Sequence, residues 1–245
     1  MIEQYFVEPF DWTSLIQLNN WAFSEGSQVL HFSSVDKPYG DCPEACGFVE
    51  TYLSEAQAFS VDASLLRYAC DQSSLKKGLT LEMGVCSGRT INFIAALNPE
   101  HKVYGFDSFE GLPQAWEGRK DYTIPAGEFG LRKGSPIPAV LPNVCLIKGL
   151  FSETLPVFSR EILKDSPIRF LHIDCDLYQS TVDVFQHLGH GLMPGSVILF
   201  DELYNYPGWH LHEWKALQEF LQSSGKKIAF IAFNENREQV LVRFI

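Results

Sequence analysis

Five carboxylates in this chain stand where short apolar runs end. Glu82 closes Leu79-Thr80-Leu81, and Asp107 follows Val103-Tyr104-Gly105-Phe106. Asp174 follows Phe170-Leu171-His172-Ile173, and the adjacent Asp201 and Glu202 follow Val197-Ile198-Leu199-Phe200. Short apolar runs bounded by glycines and acids read as buried strands. In an open parallel sheet the ligand lies beyond the carboxyl ends of the strands, so these acids converge on one rim. Carboxylates crowded together raise one another's pKa and cost stability, and a hard divalent cation with oxygen ligands removes that cost. Asp174, Asp201 and Glu202 are spaced for such a metal site. Asp174 is the candidate catalytic base or a metal ligand, two roles the sequence does not separate. The competing reading is that some of these acids only cap helices or pair with lysine and arginine. His172 reads as a satisfied core histidine, and His210 and His212 as part of a polar loop.

The rim needs elements to hold it. Leu81-Glu82-Met83-Gly84-Val85-Cys86-Ser87-Gly88 followed by Arg89-Thr90-Ile91-Asn92-Phe93-Ile94 reads as strand, tight turn and helix. Gly84 and Gly88 can take backbone angles barred to other residues, and the new helix points its free N–H groups at whatever the turn holds. A dinucleotide loop has the spacing G-x-G-x-x-G, whereas here an acid precedes the first glycine. Glu82 would repel a pyrophosphate and suit a cationic ligand, and this spacing resembles motif I of the class I methyltransferases, whose cofactor S-adenosylmethionine carries an ammonium and a sulfonium. Asp107, at the end of the second strand, is placed to accept hydrogen bonds from ribose hydroxyls, with Ser108 beside it. After the third strand, Lys148-Gly149-Leu150-Phe151-Ser152 makes another strand-to-helix turn on the same edge. Phe151 there is a candidate to cover an adenine and Ser152 to bond it, an ordinary connection being the alternative. The cofactor-binding candidates are thus Glu82, Gly84, Gly88, Asp107, Ser108, Phe151, Ser152 and Asp174.

Composition narrows the function classes. The 245 residues are 46% hydrophobic and 20% charged, with a formal net charge of −11. That is ordinary for a globular chain with a full core. Without a block of basic residues there is no footprint for nucleic acid or an anionic membrane surface. No apolar run approaches the roughly 20 residues of a membrane span, and the first residues lack a basic leader, so a cytoplasmic protein is expected. The six cysteines are scattered and expected to be reduced. Cys42 and Cys46 lack a second pair to complete a zinc site. A small-molecule partner is expected, and a homo-oligomer is left open.

Along the chain, residues 1–47 are aromatic and irregular, a helical pattern runs from Phe48 toward Phe59, and Asp62 looks like the N-cap of a second helix. Residues 1–75 are therefore expected to form a helical cap or lid over the carboxyl ends of the strands, and residues 76–245 a cofactor-binding catalytic domain. Residues 108–143, rich in glycine, proline and aromatics, read as a loop over the cofactor. Two last strands, from Lys227 and from Gln239, are joined by a short connector that forces them antiparallel.

The segments Leu81 to Gly88, Phe106-Asp107-Ser108-Phe109-Glu110-Gly111-Leu112-Pro113, Lys148-Gly149-Leu150-Phe151 with Thr154-Leu155-Pro156, and His172-Ile173-Asp174-Cys175-Asp176-Leu177-Tyr178 with Ser180-Thr181 resemble the macrocin O-methyltransferase family, among the class I methyltransferases. The resemblance covers about residues 79–220. It implies a Rossmann-like α/β fold with a mostly parallel seven-stranded sheet and an antiparallel C-terminal hairpin. It further implies S-adenosylmethionine as cofactor, methyl transfer to a sugar or phenolic hydroxyl, and magnesium held by aspartates after the fourth and fifth strands. The family has two aspartates after the fifth strand where this chain has Asp201-Glu202. The competing function classes are an NAD-dependent oxidoreductase on a similar sheet and a non-catalytic nucleotide-binding module.

Overall fold

The structure, a computed structural model, describes residues 1–6, 43–117, 123–133 and 135–245. Eight strands form one sheet: β1 (Gln57–Phe59), β2 (Leu79–Met83), β3 (Val103–Asp107), β4 (Val144–Lys148), β5 (Ile168–Ile173), β6 (Val197–Phe200), β7 (Ile228–Asn234) and β8 (Val240–Phe244). Their order is β1-β7-β8-β6-β5-β2-β3-β4, and β8 alone runs against its two neighbours. The seven expected strands and the terminal hairpin are present. The eighth, β1, lies where a helical pattern was expected to continue. The helix α1 (Pro43–Phe48) runs on through a wider turn only to Leu53, and Gln57 to Phe59 then pair in parallel with β7 and form the edge of the sheet. Three residues are too few for period-2 alternation to show in a sequence.

Side-chain alternation along the strands divides the core into two layers. On one face, Phe170, Val197, Leu199 and Leu241 pack with α2 (Asp62–Cys70) and α3 (Arg89–Leu97). On the other, Leu81, Met83, Ile198 and Phe200 pack with α4 (Phe151–Phe158), α5 (Tyr178–Leu188) and α6 (Glu213–Ser224). Asp62 is the first residue of its helix and not the N-cap, which is Val61. The chain leaves β2 toward β3 and β4 on one side and returns to β5 on the other, so the strand order reverses between β2 and β5. A crevice opens at such a reversal, beyond the carboxyl ends of the two strands.

The described parts of the N-terminal segment sit at opposite sheet edges. Phe6 bridges Ile147 on β4, with Ile2 N–H donating to the Glu161 carboxylate at 3.0 Å, whereas Phe48 and Tyr52 pack among Trp209, Trp214 and Phe230 at the β7 edge. Residues 7–42, which would make up most of a cap, lie outside the described residues.

Candidate active site

Strand pairing puts the end of β2 beside the end of β5, and one glycine makes their junction possible. Gly84 has φ +94, and a Cβ there would lie 1.7 Å from the Asp174 carbonyl oxygen. The close approach that requires a glycine is therefore to the Asp174 backbone. Asp174 N–H in turn donates to Met83 O at 2.9 Å, so the glycine loop and the acidic turn after β5 are stitched together. Gly88, at φ +78, lies just before α3, where a Cβ would press on the Pro138 ring at 2.9 Å. Non-glycine residues at positive φ also stand in the rim loops: Cys86 at 46°, Phe109 at 57°, Phe129 at 65°, Asp176 at 61° and Asn205 at 67°. Such strained positions concentrate at functional sites.

These loops surround a cavity of about 580 Å³, within the range of small-molecule sites. Gly84, Asp107, Ser108, Phe151 and Ser152 line it, together with the acids Asp174, Asp201 and Glu202. Asp107 does more than face the cavity. One carboxylate oxygen accepts the N–H groups of Val85 at 2.8 Å and Cys86 at 2.7 Å, and the other accepts Phe109 N–H at 2.5 Å. It thereby fixes the glycine loop to the loop after β3. The Ser108 hydroxyl donates to Gly111 O at 3.3 Å, shaping the turn that follows. In that following segment, read from sequence as a loop over the cofactor, Gly111 to Gln114 and Phe129 reach the cavity wall, held by paired backbone bonds between Leu112 and Glu128 and between Gly127 and Leu112.

Two expected cofactor residues are not on the wall. Gly88 lies behind the loop, and Glu82 is fully buried beneath the floor. The pairing register sets Glu82 directly opposite His172, and Glu82 Oε1 meets His172 Nδ1 at 3.0 Å. The other ring nitrogen, Nε2, lies 3.7 Å from Asp201 Oδ1. Burial pushes the Glu82 carboxyl up to about 7. Burial would lower His172, but its pairing with Asp201 and Glu82 outweighs that and pushes it up to about 10. His172 is buried and hydrogen-bonded, in line with its reading as a satisfied core histidine, and it also reaches the cavity wall.

The acids gather as expected, but in two overlapping groups and not as one triad. His172, Asp174 and Asp201 form one group and Asp174, Asp176 and Glu202 the other, with the ligand atoms within each lying inside 4.8 Å of one another. Burial, and then the charge of Asp201, raises Asp174 and Glu202 well above the ordinary carboxylate range. Asp201 goes the opposite way: desolvation would raise it, yet His172 and Gln239 hold it low. Glu202 Oε2 is buried without a hydrogen-bond partner. A buried orphan oxygen among raised carboxyls is what a missing cation would leave, so the donor set fits a hard divalent metal.

Sequence reading missed Asp176, Glu213 and Gln239. Asp176 could have been found from its i+2 spacing to Asp174. Glu213, fully buried at the start of α6, accepts Glu202 N–H at 3.3 Å, a contact between separate elements with no local signature. Gln239 donates to Asp201 Oδ1 at 2.7 Å from the far side of the hairpin.

Residues 81–203 match the model of a family described as a methyltransferase domain. A search of curated proteins finds no match. Among solved structures, the chain is similar to the calicheamicin methyltransferase CalS11, at 21% identity and TM-score 0.60, with 99% of this chain and 96% of that chain covered. A second structure of CalS11, described as an apo TDP-rhamnose 3'-O-methyltransferase, is 18% identical with TM-score 0.53, covering 98% and 97% of the two chains. These identities bear on the fold, which is the Rossmann-like methyltransferase sheet. The family match itself takes in the glycine loop and the acids Glu82, Asp107, Asp174, Asp176, Asp201 and Glu202. It spans half of the chain, and the chain belongs to this methyltransferase-domain family.

Proposed function

We propose that this methyltransferase moves a methyl group from S-adenosylmethionine to a hydroxyl of a small molecule, a sugar or a phenol, with help from a divalent cation, magnesium by the chemistry of its ligands. The observation that carries the reading is a single cavity running from the glycine loop to the carboxylate groups, so that a cofactor and an acceptor on the acids would share one space. The resemblance to macrocin O-methyltransferases and the sheet shared with CalS11 support the sugar side of the substrate class. The family match gives no support to the oxidoreductase or the non-catalytic module. Among the described residues no helix is long and apolar enough to cross a membrane.

In this reading Gly84, Gly88, Asp107 and Ser108 shape the cofactor's side of the cavity, with Phe151 and Ser152 toward the adenine. Glu82 acts from beneath, through His172. Residues 1–75 would complete the site as a cap. Asp174, Asp201 and Glu202 would hold the cation, with Asp176 as a further oxygen donor. When bound, the cofactor supplies an electrophilic methyl on a sulfonium and the cation lowers the pKa of the hydroxyl. Asp174, whose carboxyl is raised by burial and by the charge of Asp201, would be the base that takes up the hydroxyl proton. The acid-rich wall also favours a cationic cofactor over a neutral spent one. The test is a screen of sugars, nucleotide sugars and phenols with S-adenosylmethionine, with and without chelator, on wild type and Asp201→Asn. O-methylated product that disappears in both controls is expected. Turnover surviving both would remove the metal, and methylation only on nitrogen or carbon would remove the hydroxyl.

A further inference from the structure

We infer that Gln239, at the start of the last strand, is the positioning residue for Asp201: it pins one carboxylate oxygen and leaves the other for the cation. The inference rests on the metal-assisted reading above. Gln239 Nε2 donates to Asp201 Oδ1 at 2.7 Å, and His172 Nε2 approaches the same oxygen at 3.7 Å. Both contacts fall on Oδ1, so Oδ2 is the oxygen left for a cation shared with Asp174, the acid common to both groups.

The orientation of the amide is fixed by a chain of buried bonds through the hairpin. Asn236 N–H donates to Asn234 Oδ1 at 3.0 Å, which assigns the other end of the Asn234 amide as the donor. That donor, Nδ2, gives a hydrogen bond to Gln239 Oε1 at 3.0 Å, so Gln239 must turn its own NH₂ toward Asp201. The backbone repeats the link, with Asn234 N–H donating to Gln239 O at 3.0 Å. Tyr204 Oη donates to Asn234 O at 2.6 Å and ties the chain to the loop that follows Asp201. Tyr204 and Asn234 are fully buried and Gln239 is 7% exposed, so the links from Asn234 to Tyr204 and to Gln239 are shielded from water, while the Gln239–Asp201 bond faces the cavity. A neutral donor in that place stabilises Asp201 as a carboxylate, in keeping with its lowered pKa. A carboxylate that ligates a metal is commonly held in this manner by an outer hydrogen bond, and losing the outer partner typically weakens metal affinity 10- to 100-fold.

The experiment is titration of the full chain with Mn²⁺, read by electron paramagnetic resonance, alongside calorimetric titration with S-adenosylhomocysteine and a melting curve. Gln239→Met keeps the length of the side chain and removes the donor. It is expected to weaken Mn²⁺ binding at least about tenfold, with affinity for S-adenosylhomocysteine within about twofold of wild type. Asn234→Ser removes the bond that orients Gln239 while keeping an acceptor for Asn236 N–H. It is expected to weaken Mn²⁺ binding in the same direction by a smaller factor, and it carries the test if Gln239→Met fails to fold. Unchanged Mn²⁺ affinity in the folded variant overturns the inference. So does a parallel loss of both ligands, which would mark Gln239 as merely structural. If wild type and Asp201→Asn both ignore Mn²⁺, the metal reading itself falls and this inference falls with it.

Discussion

Replacing Gly84 with alanine separates backbone strain from close approach. An L-residue held at φ +94 loses about 1–2 kcal/mol. In addition, the 1.7 Å between the new Cβ and the Asp174 carbonyl has to open to about 3.0 Å, which forces apart the ends of β2 and β5 by more than an ångström. Both partners are backbone, so no flexible side chain can swing away, and overpacking of this kind costs roughly a further 1–3 kcal/mol. The sum, about 2–5 kcal/mol, corresponds to a melting-temperature loss of roughly 5–15 °C for a chain of this size. The functional loss should be larger in proportion, because Asp174 belongs to both acidic groups and a 1 Å misplacement of such a group can cost about 100-fold. The control is Gly225→Ala, at φ +69 after α6 with nothing within 4 Å of the added Cβ. It should lose about 1–2 kcal/mol, a few degrees, with S-adenosylhomocysteine affinity and turnover unchanged. Differential scanning calorimetry and calorimetric titration on both variants decide the matter. If Gly84→Ala matches Gly225→Ala in both measurements, the argument that Gly84 is required by the Asp174 backbone is wrong.

Two further outcomes are expected. In chelator-treated protein, folding keeps a proton on His172, raised from 6.5 to about 10, so its contribution to stability is complete below about pH 6.5 and lost as pH rises through about 10. Glu82, raised from 4.5 to about 7, acts in the same sense at lower pH, its contribution being complete below about 4.5 and lost through about 7. Melting temperature should therefore fall between pH 7 and 10, and His172→Asn should flatten that fall; a variant curve parallel to wild type would refute the assignment. Separately, Cys86 is exposed on the cavity wall, whereas Cys70 is buried with its thiol pushed up to about 12. Mass-spectrometric mapping after mild alkylation should find Cys86 modified, protected by S-adenosylhomocysteine, and Cys70 untouched. Cys86 labelling at the same rate with and without ligand would place the cofactor elsewhere.

Much of this molecule was legible in its sequence because its chemistry is local to strand ends. Seven of the eight strands followed from short apolar runs, the antiparallel tail from its short connector, and the convergence of Asp107, Asp174, Asp201 and Glu202 on one cavity from acids at strand ends. What escaped was cross-chain. Glu82 was legible as an acid beside a glycine loop, but its partner is set by pairing register between β2 and β5, so its burial under His172 could not be read from position alone. Gln239 has no motif, and its role exists only because β8 returns beside β6 and brings the hairpin against Asp201. Gly84 was legible as a glycine that must be one, though the neighbour that requires it is the chain itself.

The distribution of charge around Asp201 explains why so many acids can stand together in a folded chain. Glu82, Asp174, Glu202 and Glu213 are all raised by desolvation, which tells of carboxyls that burial drives toward the neutral form. Asp201 is lowered, and it has both an imidazole and an amide donor beside it. The cluster is therefore graded: Asp201 is held toward the ionised form while burial drives its neighbours toward the protonated one. A divalent cation arriving there would find a fixed negative anchor first and could then displace protons from Asp174 and Glu202, which makes its affinity rise with pH. In the proposed reaction the same grading would suit Asp174 to take the hydroxyl proton beside a cation that Asp201 helps to hold.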